Sequence, residues 1–182
     1  MAVSNKLVLG IVALVVVVAM VLVVVLPYNS LVSKEQNVKN KWSAIEVNIQ
    51  RQVDLIPQVL AQENVSLQFE QGLLENLTRL RTQWLNTLAN GSVNDQVNFS
   101  NEFSTQVGSF LSVANENQYI GSIDVIRDVI TELEGTQNRI AAARIFYNDA
   151  VTEYNTAVLS FPNNLVAGSF GFEEATYFQR GQ

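Results

Sequence analysis

The sequence lacks several residue types on which enzyme chemistry commonly depends. Its 182 residues include no cysteine and no histidine, which excludes disulfides, thiol nucleophiles, imidazole acid–base catalysis and the usual zinc ligand sets. The nine glycines are scattered singly, without a phosphate-binding motif. The sequence therefore predicts a protein that is not an enzyme, with no catalytic residue, metal or cofactor.

Charge is also sparse and unevenly distributed. Charged residues make up 15% of the chain, and the net charge is −6. All the lysines lie in the first quarter of the sequence, at Lys6, Lys34, Lys39 and Lys41. Beyond Arg51 acidic residues outnumber basic ones, and no basic patch suited to a phosphate backbone is present. We therefore expect no nucleic-acid partner.

Residues 7–26 form an unbroken apolar run, rich in valine and free of charge. A helix of this length spans roughly 30 Å, the thickness of a bilayer's hydrocarbon core. The alternative is a cleaved signal peptide, but the run is longer than the usual apolar region and no small-residue cleavage site follows it. The sequence therefore predicts a single-pass transmembrane helix within residues 1–27, with the lipid bilayer as a partner.

The residues that flank this run indicate an orientation. Three of the lysines follow the run closely, which favours an outer N-terminus and a cytoplasmic C-terminal domain at the cell membrane. Four Asn-x-Ser/Thr sequons would instead suit an exported domain; they begin at Asn64, Asn76, Asn90 and Asn98. A chain so rich in asparagine, serine and threonine is expected to contain sequons by chance, so the predicted orientation follows the lysines.

The rest of the chain has the apolar periodicity of helices. After Pro27, where the membrane helix is expected to break or kink, an apolar stripe at threes and fours predicts a helix over residues 28–60. Pro57 lies inside this pattern, which predicts a kink or break near residues 54–57. Trp42 belongs to the stripe and is expected in the core.

Three further helices are predicted. The first reaches about Ala89, and the turn Asn90-Gly91-Ser92 separates it from a helix over residues 93–114. The last covers residues 119–161 with an apolar residue every 3.5 positions, a period typical of coiled-coil-like packing. We therefore predict an all-α fold: a transmembrane helix followed by an antiparallel bundle of three to four helices at residues 28–162.

An aromatic tail at residues 163–182 completes the predicted division of the chain. Its phenylalanines and tyrosine lie among glycines and polar residues, without a clear period. Such a tail is expected either to fold back on the bundle or to act as a docking segment.

Polar residues interrupt the apolar seam of the last helix. The period directs Gln137 and Arg144 inward, with Asn148 and Asn155 beside them. Because an inward arginine is costly without a partner, we predict that Arg144 pairs with Asp54 and fixes the register of the two long helices. The alternative interpretation is a binding site for a ligand or a partner at the kink.

Two groups of residues match the signatures of a known family in type and spacing. The first is Tyr28-Asn29-x-Leu31-Val32, Val38, Trp42, Ile45 and Gln50-Arg51-x-x-Asp54-Leu55-Ile56-Pro57. The second is Asn138-Arg139-Ile140, Ala143-Arg144, Tyr147-Asn148, Val151, Tyr154-Asn155 and Phe161-Pro162. The chain resembles the LemA family of bacterial and archaeal membrane proteins. Gln52 departs from the family, which usually has a second arginine there.

This resemblance implies a single-pass protein with a short outer N-terminus, a helical domain inside and no enzymatic activity. A magnetosome-associated branch of the family implies a role in membrane organisation or remodelling. We therefore predict a non-enzymatic, membrane-anchored helical scaffold that self-associates into a homo-oligomer or binds protein partners. The alternative function is a pilin-like filament subunit with a hydrophobic N-terminal helix. The candidate structural or partner-binding residues are Tyr28, Asn29, Trp42, Arg51, Asp54, Pro57, Asn138, Arg139, Arg144, Tyr147, Asn148, Tyr154 and Asn155.

Overall fold

A computed structural model of the protein describes residues 5–61, 71–121 and 123–178. These residues form helices and connections, with no strand among them. The helices are α1 (Asn5–Met20), a π-helical turn (Val21–Val25), α2 (Leu26–Leu60), α3 (Gln71–Asn90), α4 (Val93–Glu116), α5 (Gln118–Gly121), α6 (Asp124–Leu159) and α7 (Asn163–Phe170). The predicted all-α class, an apolar N-terminal helix followed by a helical bundle, is confirmed.

The N-terminal helix is exposed along the apolar run. From Val8 onward the chain has, among the described residues, one helix long and apolar enough to cross a membrane. The expected disturbance at Pro27 takes the form of the π-helical turn just before it, in which the Leu26 N–H bonds to the Val21 carbonyl. Proline lacks an N–H and its ring crowds the carbonyl four residues earlier, and a wider turn accommodates both effects.

The described residues divide into two compact units. The stem unit consists of residues 5–38 and 150–175. The bundle unit consists of residues 39–61, 71–121, 123–149 and 176–178. Helices α2 and α6 contribute residues to both units, and the domain boundaries predicted from the sequence stay a prediction.

Helices α2 and α6 are antiparallel in the bundle unit. Arg139 of α6 donates to Asn48 of α2, and one turn further along α2 Gln52 donates to Thr136. The paired residue number falls on α6 as it rises on α2. This direction agrees with the antiparallel arrangement predicted from the sequence.

Helices α3 and α4 form a hairpin at the predicted Asn90-Gly91-Ser92 turn. A Cβ atom at Gly91 would lie 2.7 Å from the Thr87 carbonyl oxygen, so the turn requires glycine. Ser92 caps α4, because its hydroxyl accepts from the Asp95 N–H while the Asp95 carboxylate accepts from the Ser92 N–H. The Ser92 hydroxyl also donates to the Asp95 carboxylate at 2.7 Å, and this bond, followed by the one from the Ser92 N–H, lowers the pKa of Asp95.

The core consists of the apolar positions that the helical period selects. In the bundle unit the buried residues include Trp42, Ile45, Ile49, Val53 and Ile56 of α2, Leu80 and Trp84 of α3, Val97, Phe103, Val107 and Phe110 of α4, and Ile126, Ile130, Leu133, Ile140 and Tyr147 of α6. The predicted inward faces of these helices are confirmed, including the core position of Trp42.

Helix α2 continues through Pro57. It ends at Leu60, and the Ala61 N–H bonds to the Pro57 carbonyl. The helix is therefore not broken near residues 54–57, where a kink or break was predicted. The sequon at Asn64 lies outside the described residues.

The last long helix is shorter than predicted at both ends. It begins at Asp124 rather than at Tyr119, which belongs to the separate short helix α5. It ends at Leu159 rather than at Phe161. The next helix, α7, begins at Asn163, in a region where the sequence predicted no further helix. Residues 160–162 form the connection between α6 and α7.

Candidate functional site

The C-terminal segment is held by asparagine and tyrosine side chains of the helices. Helix α7 ends at Phe170 and is capped by Gly171, whose φ of 75° lies in the left-handed region that glycine adopts without strain. Residues 172–178 then continue without regular secondary structure. Backbone groups in such a segment need partners from elsewhere, and side chains of α4 and α6 supply them.

In the bundle unit Asn148 binds both backbone groups of Phe178. Its Nδ2 donates to the Phe178 carbonyl at 2.9 Å, and its Oδ1 accepts from the Phe178 N–H at 2.9 Å. The Tyr147 hydroxyl donates to the Thr176 carbonyl at 2.9 Å, and the Thr176 N–H donates to Asn94 Oδ1 at 2.9 Å. The side chains of Asn94, Tyr147 and Asn148 therefore satisfy backbone groups of this segment, as a neighbouring strand would in a sheet.

In the stem unit Asn155 plays the same role for Ala175. Its amide donates to the Ala175 carbonyl at 2.9 Å and accepts from the Ala175 N–H at 2.8 Å. Tyr28 contacts the rings of Phe170 and Phe172 edge-on, with centroids 5.1 and 5.6 Å away. The stem unit thus fixes the segment that leads out of α7.

Phe178 completes an aromatic cluster in the bundle unit. The Trp42 ring lies 5.8 Å from that of Tyr147 and 6.3 Å from that of Phe178. The Trp42 indole N–H donates to Gln96 Oε1 at 2.6 Å, so its polar edge is satisfied in the core. The predicted tail thus folds back with its aromatic end buried.

Arg144 does not pair with Asp54, and that prediction is wrong. The Arg144 guanidinium lies over the Phe178 ring, 4.4 Å from its centre. Asp54 is exposed and accepts a hydrogen bond from Gln50 one turn earlier on α2. Arg144 meets an aromatic face because the C-terminal segment covers this part of α6.

Burial shifts the pKa of three side chains beside this segment. It lowers the pKa of Arg144, since a charged guanidinium loses hydration there. Burial likewise raises the pKa of Tyr147 well above its ordinary value. In the stem unit the pKa of Tyr154 rises to about 12, first through burial and then through the nearby carboxylates of Glu35 and Glu173. Both tyrosines are therefore neutral packing residues, and Tyr147 also donates the hydrogen bond to the Thr176 carbonyl.

An ion-pair cluster, rather than the predicted single pair, joins the two long helices. Glu132 Oε1 accepts from Arg51 Nε at 2.7 Å and from the Arg139 guanidinium at 2.8 Å. Arg139 also donates to Asn48 at 3.0 Å. The cluster links α2 to α6, the contact that we expected from Asp54 and Arg144.

Gln52, where the LemA family usually has an arginine, is fully buried. Gln52 donates through Nε2 to the Thr136 hydroxyl at 2.9 Å, and Thr136 in turn donates to the Leu133 carbonyl at 2.8 Å. The Gln52 side-chain oxygen is buried without a partner. The uncharged residue suits this position, because an arginine there would need a buried counter-ion.

Sequence comparison identifies the chain. The sequence model of the LemA family matches residues 41–182. The chain belongs to the LemA family. The match includes Trp42, Arg51 and the C-terminal segment, whereas Tyr28 and Asn29, part of the first signature, precede it.

Named relatives of this LemA protein come from magnetic bacteria. The proteins called magnetosome protein MamQ 1 and MamQ 2 of Paramagnetospirillum magneticum are each 24% identical to it over 186 residues, which cover 90% of this chain and 68% of theirs. Magnetosome protein MamQ of Magnetospirillum gryphiswaldense is 26% identical over 76 residues, 42% of this chain and 28% of that one. Together with the apolar helix, the family indicates a membrane-associated protein.

The structure brings some of the candidate residues together and leaves others apart. In the bundle unit Trp42, Arg144, Tyr147 and Asn148 surround Phe178, and Arg51 and Arg139 share Glu132. In the stem unit Tyr28 and Asn155 hold α7 and the segment after it. Asn29, Asp54, Pro57 and Asn138 are exposed.

Sequence reasoning missed the partners of these residues. The sequence predicted Phe178 only as one of the tail aromatics, and it did not predict Glu132, Asn94 or Gln96 as partners. The available signal was the pair Asn148 and Asn155, which are seven residues apart on α6 and lie beside its core face. Asparagines in such positions are suited to bind the backbone of another segment. Among the described residues, no group of three or more acidic side chains is placed to hold a metal ion.

The outer face of α6 carries an apolar patch that the heptad pattern does not explain. Ile145 and Phe146 are exposed, Phe146 to 61%, and follow the exposed Ala141 and Ala142. We call Ile145 and Phe146 the outer patch.

Proposed function

We propose that this LemA protein is a non-enzymatic, single-pass scaffold whose bundle associates with copies of itself, and with other proteins, at a membrane. The observation that carries the proposal is the outer patch on a bundle tethered by an apolar helix. Asn148, Asn155 and Arg144 of α6 support it, because they contact the backbone and the Phe178 ring of the chain's own C-terminal segment. In this role they are structural residues and do not form a ligand site.

The apolar helix supplies the tether. Each valine, leucine or isoleucine near the centre of a spanning helix contributes about −0.3 to −0.6 kcal/mol to insertion. The run holds these residues along almost its whole length and no charged residue, so the sum favours insertion by several kcal/mol. A chain anchored in this way diffuses only within the plane of the membrane, where it encounters other membrane-bound copies and proteins.

The outer patch supplies the contact between copies. Burying an isoleucine or phenylalanine side chain contributes about 1.5–3 kcal/mol. Two such side chains are adjacent on α6, at Ile145 and Phe146, and the core of this chain does not use them. Charge repulsion between copies should be weak, since only 15% of the residues in the chain are charged.

The same reasoning suggests an orientation and a process. Lys34, Lys39 and Lys41 follow the tether, so we propose an outer N-terminus and a cytoplasmic bundle. A membrane-impermeant maleimide should then label a single cysteine introduced at Val113 only after intact cells are opened. The relatives are named magnetosome proteins, which supports a role in organising membrane.

The molecular mass of the full-length chain in detergent micelles tests self-association. We expect a particle of more than one 20.2 kDa chain, which Ile145→Ser with Phe146→Ser reduces to a single chain. Val125→Ser, at an exposed apolar residue elsewhere on α6, is the matched control and should leave the mass unchanged. A single-chain mass at every protein concentration would contradict the proposal.

A further inference from the structure

The end of α6 and helix α7 carry a second set of exposed apolar side chains, in the stem unit. The Lys34 ammonium lies 3.4 Å from the Glu153 carboxylate, which sets α2 and α6 side by side at these residues. Because the helices are antiparallel, six residues back along α2 to Tyr28 correspond to six residues forward along α6, to Leu159. Helix α6 ends there, so its end lies level with Tyr28, two residues after the apolar run, and Phe161 follows in the connection to α7.

Side chains at this level are apolar and uncovered. Phe161 is 79% exposed and Leu165 is 57% exposed, and Leu159 and Phe170 are exposed as well. Helix α7 buries Val166 and Ala167 on its other side. Leu159, Phe161, Leu165 and Phe170 are called the lower patch below.

The sequence around the lower patch contains no charge. Between Glu153 and Glu173 lie nineteen uncharged residues, by far the longest such stretch after the apolar run. Tyr28 of α2, two residues after that run, contacts Phe170 and Phe172 edge-on, so the patch lies beside the end of the run. An apolar face rimmed by asparagine and serine suits the boundary between headgroups and acyl chains.

We propose that the lower patch is buried in the bilayer interface and gives the protein a second membrane contact beside its spanning helix. The occupant of the patch is lipid, because the contact between Lys34 and Glu153 places it at the end of the hydrophobic span. Aromatic and leucine side chains at that depth gain from apolar burial while the flanking polar side chains stay hydrated. This inference rests on the proposed membrane tether.

The absence of cysteine allows a direct depth measurement. Single variants Phe161→Cys and Leu165→Cys of the full-length chain carry a nitroxide label in vesicles of phosphatidylcholine and phosphatidylglycerol. Both side chains are exposed, so neither substitution removes core packing. The readout compares label collisions with oxygen, which concentrates in lipid, and with a water-soluble nickel chelate.

Two control positions separate the possible outcomes. Val16→Cys reports the tether, and Leu85→Cys reports an exposed apolar position of α3 in the bundle unit. We expect labels at 16, 161 and 165 to collide more with oxygen than with nickel, and the label at 85 to do the reverse. Nickel access at 161 and 165 with a lipid-exposed label at 16 would overturn the inference and leave the tether standing.

Two further outcomes also count against the inference. Labels at 161 and 165 that neither reagent reaches would mean that a second copy or another protein covers the patch. Nickel access at 16 would mean that the tether itself, and with it the proposed function, is wrong. Repeating the measurement with phosphatidylcholine alone should give the same depths, because the patch carries no charge to attract anionic lipid.

Discussion

The guanidinium of Arg144 lies 4.4 Å from the centre of the Phe178 ring, so the arginine in the α6 seam faces an aromatic ring and not a carboxylate. Such a contact contributes about 0.5–2 kcal/mol, depending on how far the cation is desolvated. Burial also costs the cation hydration, as the lowered pKa of Arg144 indicates. The two effects oppose each other, which makes the net contribution of the charge small.

Arg144→Met is therefore expected to change the free energy of unfolding by less than about 1 kcal/mol, because methionine keeps the stem and its sulfur packs against the ring. Phe178→Ala should lower it by about 3 kcal/mol through the cavity it leaves. Urea unfolding of the full-length chain in micelles, followed by circular dichroism, measures both. A loss of about 3 kcal/mol in Arg144→Met would instead indicate a broken buried ion pair.

Asn148→Ala should release the end of the C-terminal segment. The Phe178 N–H and carbonyl both lose their partner, which costs roughly 1–3 kcal/mol for each buried group left unsatisfied. We expect hydrogen exchange in a peptide covering residues 175–178 to be roughly tenfold faster or more, since each 1.4 kcal/mol corresponds to a factor of ten. Asn138→Ala, exposed on the same helix, is the control. Unchanged exchange in Asn148→Ala would show that the amide does not hold the segment.

Glu132→Gln should destabilise the chain more than a comparable change elsewhere. Glu132 serves two arginines and is the less exposed partner of both, so we expect a loss of about 1 kcal/mol that shrinks in high salt. Glu102→Gln, which removes one pair with Arg79 on the surface, should cost less than half as much. Equal losses in the two variants would mean that the cluster contributes no more than a single surface pair.

Stability should fall in alkaline solution because of Tyr147 and Tyr154. An unfolded tyrosine loses its proton near pH 10, whereas burial raises the pKa of both in the folded chain, that of Tyr154 to about 12. Above pH 10 the unfolded state then holds fewer protons, so the free energy of unfolding decreases as pH rises towards 12. Below pH 10 these groups contribute no pH dependence. Tyr147→Phe with Tyr154→Phe should flatten the decrease measured by urea unfolding; an unchanged slope would rule the two tyrosines out as its cause.

The core of the fold could be predicted from the sequence because burial of a helical stripe is a local property. Ile126, Leu133, Ile140 and Tyr147 repeat at the period of one helix face, and all four are buried. The Asn90-Gly91-Ser92 turn could be predicted for the same reason, since the glycine and the Ser92 cap interact only with residues nearby in the sequence.

The partner of Arg144 could not be predicted in this way. Opposite charge pointed to Asp54, but Phe178 reaches Arg144 from a segment that has no periodicity and lies 34 positions later in the sequence. Ile145 and Phe146 were missed for a related reason, because a heptad describes only the face that packs inside one chain.

Alkaline carbonate extraction of membranes that contain the full-length chain tests the membrane tether most directly. We predict that the chain stays in the membrane pellet, and that Val15→Glu with Val17→Glu moves it to the supernatant, since each charge at the helix centre costs about 2.5–3.5 kcal/mol of insertion. Recovery of the unsubstituted chain in the supernatant would contradict the account.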